Sequence, residues 1–341
     1  MNGYQRIKAA FDGEWPDKVP VMLHNFMMAT REAGYTMAEY RDNPKKIADS
    51  FIKSVEKYKY DGILVDVDTV TLAGAVGVPV DFPENEPARS NRGNLTDIEM
   101  VKDLDHPDVS KYRYVQNWLE GVRLIKKYFG DEVFLRGNCD QDPFSLASMM
   151  RGAENWMMDL LDTEHEDLVF RLLDYCLEAT TQFIDLMSQT GCHMVSNGDS
   201  PAGPELISPS MYKKFAFPYE KSVVDEAHRL GLPYGLHICG DTSLIIEDMI
   251  ETGTDAVEID YKTDINIAHE VCKDRVVFIG NIDPSGVIAM GTRELVRQKT
   301  KELLEIYSDS PKFILNAGCA IPSITPEENI KAMIEVAREF R

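Results

Sequence analysis

Short β-branched runs alternate with longer amphipathic stretches along the whole 341-residue chain, and no other feature constrains the fold as tightly. Strands are expected near 18–24 (KVPVMLH), 61–68 (DGILVDVD), 132–138 (EVFLRGN) and 193–198 (HMVSNG). Four more follow near 233–239 (PYGLHIC), 255–260 (DAVEID), 276–281 (VVFIGN) and 313–318 (FILNAG). Between them lie helical patterns such as MYKKFAFPYEKSVVDEAHRLG, whose last glycine is well placed as a C-cap. Strand, helix, strand repeated along a chain is the signature of a parallel sheet. Eight such units in this length point to a single (β/α)8 TIM barrel spanning 1–341. An open doubly wound sheet is the runner-up, and no GxGxxG fingerprint supports it. Two segments stand outside the repeat. Residues 1–17 read as an N-terminal helical extension, and 69–131, rich in turn formers and charge, read in part as an insertion that covers the barrel mouth.

Polar residues cluster where the strands end. His24 and Asn25, Asp66 and Asp68, Asn138 to Asp140, and Asn197 to Asp199 all fall at C-terminal strand ends. So do His237 and Cys239, Glu258 and Asp260, Asn281 and Asp283, and Asn316 with nearby Cys319. In a barrel those ends ring one mouth, where active sites are built. Turns also favour Asn and Asp, so the weight comes from all eight ends carrying such groups.

Composition excludes several classes. With 36 Lys+Arg against 57 Asp+Glu the formal net charge is −21, which opposes nucleic-acid binding, because phosphate contacts need a basic face. No uninterrupted run of about 18 apolar residues occurs, so no membrane span is expected. The start, MNGYQRIKAAFDGEWPDK, has no apolar secretory core, and the expected compartment is the cytoplasm. There a framework of disulfides among the six cysteines is not expected. Cys176 and Cys272 sit in helical runs as small core residues, whereas Cys139, Cys239 and Cys319 follow strand ends.

His237, Cys239 and Cys319 form the most informative constellation. The first two are two apart, so on a strand they face the same side. A closed sheet brings Cys319 across the mouth to meet them. One imidazole and two thiols make a three-ligand zinc site with an open fourth position, the pattern of a catalytic metal. Such a metal lowers the pKa of a bound thiol and makes a thiolate nucleophile. Glu258, Asp199 or Asp260 can fill the fourth position at rest. The plainer possibility has His237 hydrogen-bonded in the mouth, with both cysteines as packing residues.

Over nearly its full length the chain resembles the uroporphyrinogen decarboxylase superfamily. The matching stretches are VPVMLHNFMMATREAGYTMAEY, DGILVDVDTVTLAGAVGVPVDF, DPFSLASMMRG, LHICGDTS, VVFIGNIDP and FILNAGCAIPSITPEENIKAMIEVAREF. The resemblance implies a (β/α)8 barrel and one of two chemistries. The decarboxylases resemble this chain at Arg31, the first of two carboxylate-binding arginines, but the second would fall at Tyr35. Asp68 matches the aspartate that gathers pyrrole nitrogens, and the decarboxylases carry His where this chain has Cys319.

The other branch is the zinc-dependent, cobamide-linked methyltransferases, typified by methylcobamide:coenzyme M methyltransferase. Its HxC motif and remote Cys are reproduced by His237, Cys239 and Cys319. By resemblance, Zn2+ activates a thiol such as coenzyme M, which takes the methyl group of methylcobalamin carried on a corrinoid protein and leaves cob(I)alamin. Asp68, Asp199 and Glu258 are then the expected catalytic residues. His24, Arg31, Asn138, Asn197 and Asn281 are the expected substrate contacts, and Arg31 and Arg136 are candidates for a sulfonate. Relatives running in reverse take methyl from an ether or amine, with zinc as Lewis acid. A decarboxylase, or a chaperone that binds a corrinoid or tetrapyrrole without turning it over, would use the same barrel. Assembly as a homodimer is compatible with the sequence.

Overall fold

The computed structural model describes residues 1–340 and contains one parallel sheet of eight strands in chain order. They are β1 (Met22–Leu23), β2 (Gly62–Val65), β3 (Phe134–Gln141), β4 (Met194–Gly198), β5 (Tyr234–Ile238), β6 (Ala256–Ile259), β7 (Val277–Ile282) and β8 (Phe313–Ala317). Every expected strand is present. The first is much shorter than expected, because Pro20 has no N–H to give to a ladder. Closure comes from one parallel bridge, Val21 to Leu315, with the Leu315 N–H donating to the Pro20 carbonyl at 2.9 Å. The architecture is a (β/α)8 barrel. Its strands are buried almost throughout, as sheets covered on both faces require.

The N-terminal end of the barrel is sealed by the helix Gly3–Asp12. Asn2 caps it: its side chain accepts from the Gln5 N–H, and the Gln5 side chain accepts from the Asn2 N–H, each at 2.9 Å. Ile7 and Ala10 of this helix join Met22, Phe134, Met194, Ala256, Val277, Ile279 and Ile314 in an apolar plug. The approach is close enough to require a glycine, since a Cβ on Gly62 would lie 2.4 Å from Ile7 Cδ1.

Segment 69–131 has two parts. Residues up to about 112 hold short helical turns and an antiparallel bridge between Asp81 and Arg89, buttressed by the Arg41 guanidinium donating to the carbonyls of Pro83 (2.8 Å) and Glu86 (2.6 Å). The remainder is a regular barrel helix, Arg113–Phe129, packed on the helix Pro44–Tyr58. Its apolar face is amphipathic in the ordinary way, and buried Trp118 donates its indole N–H to the Val65 carbonyl at 3.1 Å. Among the described residues no helix is long and apolar enough to cross a membrane.

Candidate active site

A cavity of about 290 Å3 opens at the C-terminal ends of the strands. Residues from nearly every part of the barrel line it, including His24, Asp66, Asp68, Arg136, Asn138, Asp140, Asn197, His237, Cys239, Glu258 and Cys319.

The three expected metal ligands come together on one side. His237 Nε2 lies 3.0 Å from Cys239 Sγ, and Cys239 Sγ lies 3.8 Å from Cys319 Sγ. All their ligand atoms fall within 4.8 Å of one another. The sequence places them through three devices. β5 puts His237 inside the barrel, and the chain turns sharply after Cys239 at Gly240, whose φ of +88° favours glycine. Gly318 lets the chain after β8 press on the loop after β6, where a Cβ would meet the Tyr261 nitrogen at 2.6 Å. That close approach delivers Cys319 to the other two ligands.

The donor set fits zinc. Two thiolates on a tetrahedral ion with bonds of about 2.3 Å would sit about 3.8 Å apart, the separation found. His237 Nδ1 is 2.9 Å from the Glu258 carbonyl, a bond that makes Nδ1–H the donor and turns Nε2 toward the thiols, where loss of its proton would free a lone pair for a metal. The site's electrostatics also suit a cation. The Cys319 thiol hydrogen-bonds to Cys239 and, with the His237 charge, holds the Cys239 thiol at about 3 despite burial. Burial works to lower the His237 pKa, but the Cys239 thiolate overrides it and lifts the imidazole to about 10. The same thiolate, with burial, pushes Cys319 well above the ordinary thiol range. The pocket thus favours a thiolate at Cys239, the form in which sulfur binds a metal.

Behind the ligands runs a buried chain of charges. Glu258 pairs with the Arg136 guanidinium through one oxygen, and its other oxygen is 3.4 Å from His24 Nδ1. Arg136 also donates to Ser196 Oγ at 2.7 Å. His24 Nε2 meets Asp66 Oδ2 at 2.8 Å, and Asn138 donates to Asp66 Oδ1 at 3.0 Å. Burial opposes charge on His24, yet the two carboxylates raise it to about 9, so it is an imidazolium at neutral pH. Burial likewise opposes ionised Glu258, but Arg136 and the two histidines hold it well below the usual carboxylate range. Sequence reasoning missed this network, although one signal was available. Arg136 follows the apolar run at the start of β3 and Glu258 sits within the apolar β6, and charged residues at such places are buried only when paired.

The remaining expected residues divide. His24, Asp68, Asn138, Asn197 and Glu258 line the cavity. Asn197 is held rigidly, donating to the Cys139 carbonyl at 2.7 Å and accepting from the Tyr234 hydroxyl at 3.2 Å. Asp199 does not line it: its Oδ1 accepts from the Ser145 N–H and hydroxyl, and burial raises it to about 6 although the Ser145 and Glu220 hydrogen bonds work to lower it. Asn281 donates to the Asp260 carbonyl at 3.2 Å and borders a different hollow, and Asp260 caps the Gly240 N–H at 2.9 Å. Arg31 is exposed in a neighbouring hollow and donates to the Thr325 carbonyl at 3.2 Å. Asp140 is a pocket carboxylate that the sequence marks only as one of several strand-end residues.

The chain has relatives among known proteins. Residues 3–340 match the family described as uroporphyrinogen decarboxylase (URO-D). The chain belongs to that family. It is 32% identical to the methylcobamide:CoM methyltransferase MtbA of Methanosarcina mazei over 248 residues, covering 73% of this chain and 69% of that protein. It is also 27% identical to the uroporphyrinogen decarboxylase of Prochlorococcus marinus, covering 91% of this chain and 92% of that enzyme. A solved structure of a methyltransferase from Methanosarcina mazei superposes with a TM-score of 0.90 at 23% identity, covering 100% of this chain and 99% of that one. At that identity the superposition establishes the (β/α)8 barrel and nothing finer.

Proposed function

We propose that this URO-D family member is a zinc-dependent methyltransferase that moves a methyl group between a corrinoid protein and a thiol. The observation that carries this reading is the meeting of His237, Cys239 and Cys319 at the floor of a pocket, with geometry and charge suited to zinc. A decarboxylase that needs no cofactor has no use for two thiols and an oriented imidazole at that place. Tyr35, standing where the decarboxylases' second arginine would fall, donates its hydroxyl to Asp49 at 2.8 Å and cannot clamp a carboxylate as an arginine does. The similarity to a protein named for methyl transfer to CoM supports the same reading.

His237, Cys239 and Cys319 would hold the ion. When bound, zinc supplies an electrophilic site that keeps a substrate thiol ionised at neutral pH. The chain's own residues do the rest. The Glu258 carbonyl fixes the tautomer and orientation of His237. The Glu258 carboxylate is tied to Arg136 and His24, which leaves the fourth position for the substrate sulfur. The rigid Asn197 and the pocket walls orient the thiol. A corrinoid on a partner protein would supply the methyl group as an electrophile and would keep the cobalt–carbon electron pair, while the pocket residues present the ionised substrate sulfur to the methyl carbon. The thiol proton is released to solvent on binding, as ligation by sulfur requires.

Metal analysis of purified protein tests the reading, together with methylcobalamin and a panel of thiols followed by the cobalt absorption spectrum. About one zinc per chain and thiol-dependent loss of the methyl–cobalt spectrum are expected. A metal-free protein whose Cys239→Ala and Cys319→Ala variants behave as the parent does would sink it.

A further inference from the structure

The side of the pocket built by β2 and β3 has a different character from the metal side. Asp68 and Asp140 both line the cavity and are only 1% and 2% exposed. Asp68 Oδ1 accepts from the Val70 N–H (3.0 Å) and the Thr71 hydroxyl (2.9 Å), and Asp140 Oδ2 accepts from the Leu72 N–H (2.7 Å). The second oxygen of each, Asp68 Oδ2 and Asp140 Oδ1, has no partner among the described residues. The Gln141 side chain, which also acts on Asp140, donates its N–H to the Thr69 carbonyl at 3.1 Å. Two buried, half-satisfied carboxylates on one wall are costly, and natural interiors retain such groups where something else completes them. Burial pushes Asp68 up to about 6 and Asp140 higher, and the charge of Asp68 raises Asp140 further. Asp140 is moreover held at φ +66°, a left-handed conformation that a residue with a Cβ adopts at a cost of roughly 1–3 kcal/mol.

The pocket offers these oxygens no cation. Among the described residues no lysine lines it. Arg136 is engaged with Glu258 and Ser196, and His24 with Asp66 and Glu258. Arg41, whose charge acts on Asp68, does not line the cavity and donates to the carbonyls of Pro83 and Glu86. A sulfonate or carboxylate on the substrate would therefore find no free cation on this wall to hold it. A positively charged nitrogen would instead supply the missing donors and favour the ionised form of both groups.

We infer that the thiol substrate carries an ammonium group at the end away from its sulfur, held between Asp68 and Asp140. The inference rests on the methyl-transfer reading for the sulfur end alone. It separates this chain from relatives named for coenzyme M, whose anionic sulfonate is the opposite charge.

The test is calorimetric titration of the zinc-loaded protein with three two-carbon thiols: 2-aminoethanethiol, 2-mercaptoethanol and 2-mercaptoethanesulfonate. The aminothiol should bind about 10-fold or more tighter than the neutral thiol, as a charge-assisted hydrogen bond provides, with the sulfonate weakest. Asp140→Asn and Asp68→Asn should each erase most of that advantage, and Asp140→Asn should leave 2-mercaptoethanol within about twofold, a comparison that removes any general loss of folding. Equal affinities, a preference for the sulfonate, or an amine preference that survives both substitutions would overturn the inference. Ethylamine, which has no sulfur, is titrated into metal-free protein to separate the two readings. Binding that depends on Asp140 upholds the ammonium site even if no zinc is taken up and the methyl-transfer reading fails. Absence of that binding, with zinc and thiol bound normally, removes the ammonium site and leaves methyl transfer intact.

Discussion

The two ends of the barrel are built from the same eight strands and obey opposite rules. At the N-terminal end, Ile7 and Ala10 close an apolar plug in which the buried side chains have no polar group to satisfy. At the C-terminal end most of the side chains lining the cavity are polar, several are ionised, and some oxygens lack partners among the described residues. The first arrangement is stable and inert. The second spends stability on readiness: charges are held out of water, where they act strongly on whatever enters. Damage to the plug should cost folding without touching chemistry, whereas damage to the mouth should cost chemistry first.

Four substitutions break or sharpen that contrast. The largest effect is expected at Cys319→Ala, which removes a ligand on the proposed reading. Zinc content should fall from about one per chain toward zero, a loss beyond the roughly 10–100-fold that an outer-shell partner costs. Unaltered zinc content would break the contrast at its centre. Glu258→Gln comes next, since it leaves Arg136 and His24 buried without their shared counter-charge. Denaturant unfolding should show a loss of about 3–5 kcal/mol, and this is the one mouth residue whose removal should hurt folding as much as any core change. Ile7→Ala should destabilise by about 2–5 kcal/mol in the same assay, with zinc content unchanged. Asn2→Ala, which removes the cap of the sealing helix, should cost only about 1 kcal/mol, read as a small drop in melting temperature.

The fold was legible because its signal is repeated. Eight β-branched runs, each followed by polar residues and an amphipathic stretch, leave few topologies open, and all eight strands lie where they were expected. Errors came where local pattern competes with tertiary context. Pro20 cut β1 to two residues, and the helix Arg113–Phe129 was absorbed into a segment read from its turn-rich neighbour. The metal-side residues were legible because soft donors at fixed spacing on strand ends are rare. The direction of hydrogen bonding was not legible. Asn197 and Asn281 look alike in sequence, yet one faces the cavity and the other caps a loop in a different hollow. Glu258 read as a spare ligand, and only the register of β6 beside β5 shows its backbone carbonyl, rather than its carboxylate, orienting His237. The unpartnered oxygen of Asp140 belongs to this class as well, since satisfaction is a property of surroundings and not of residue type.

The seam of the barrel behaves like a joint in a hoop. β8 meets β1 through one bridge at Val21 and Leu315, which makes this the least fastened place in the ring. Cys319 lies just past β8, and Cys239 just past β5 on the far side of the sheet. An ion shared by both would rivet the loose hoop-end to the firm middle of the stave ring. Bound at about 1,000 times its dissociation constant, such an ion would add roughly 4 kcal/mol against opening. Loading the metal would then tighten the whole cylinder, and the slowing of amide exchange at Leu315 would register it far from any substrate.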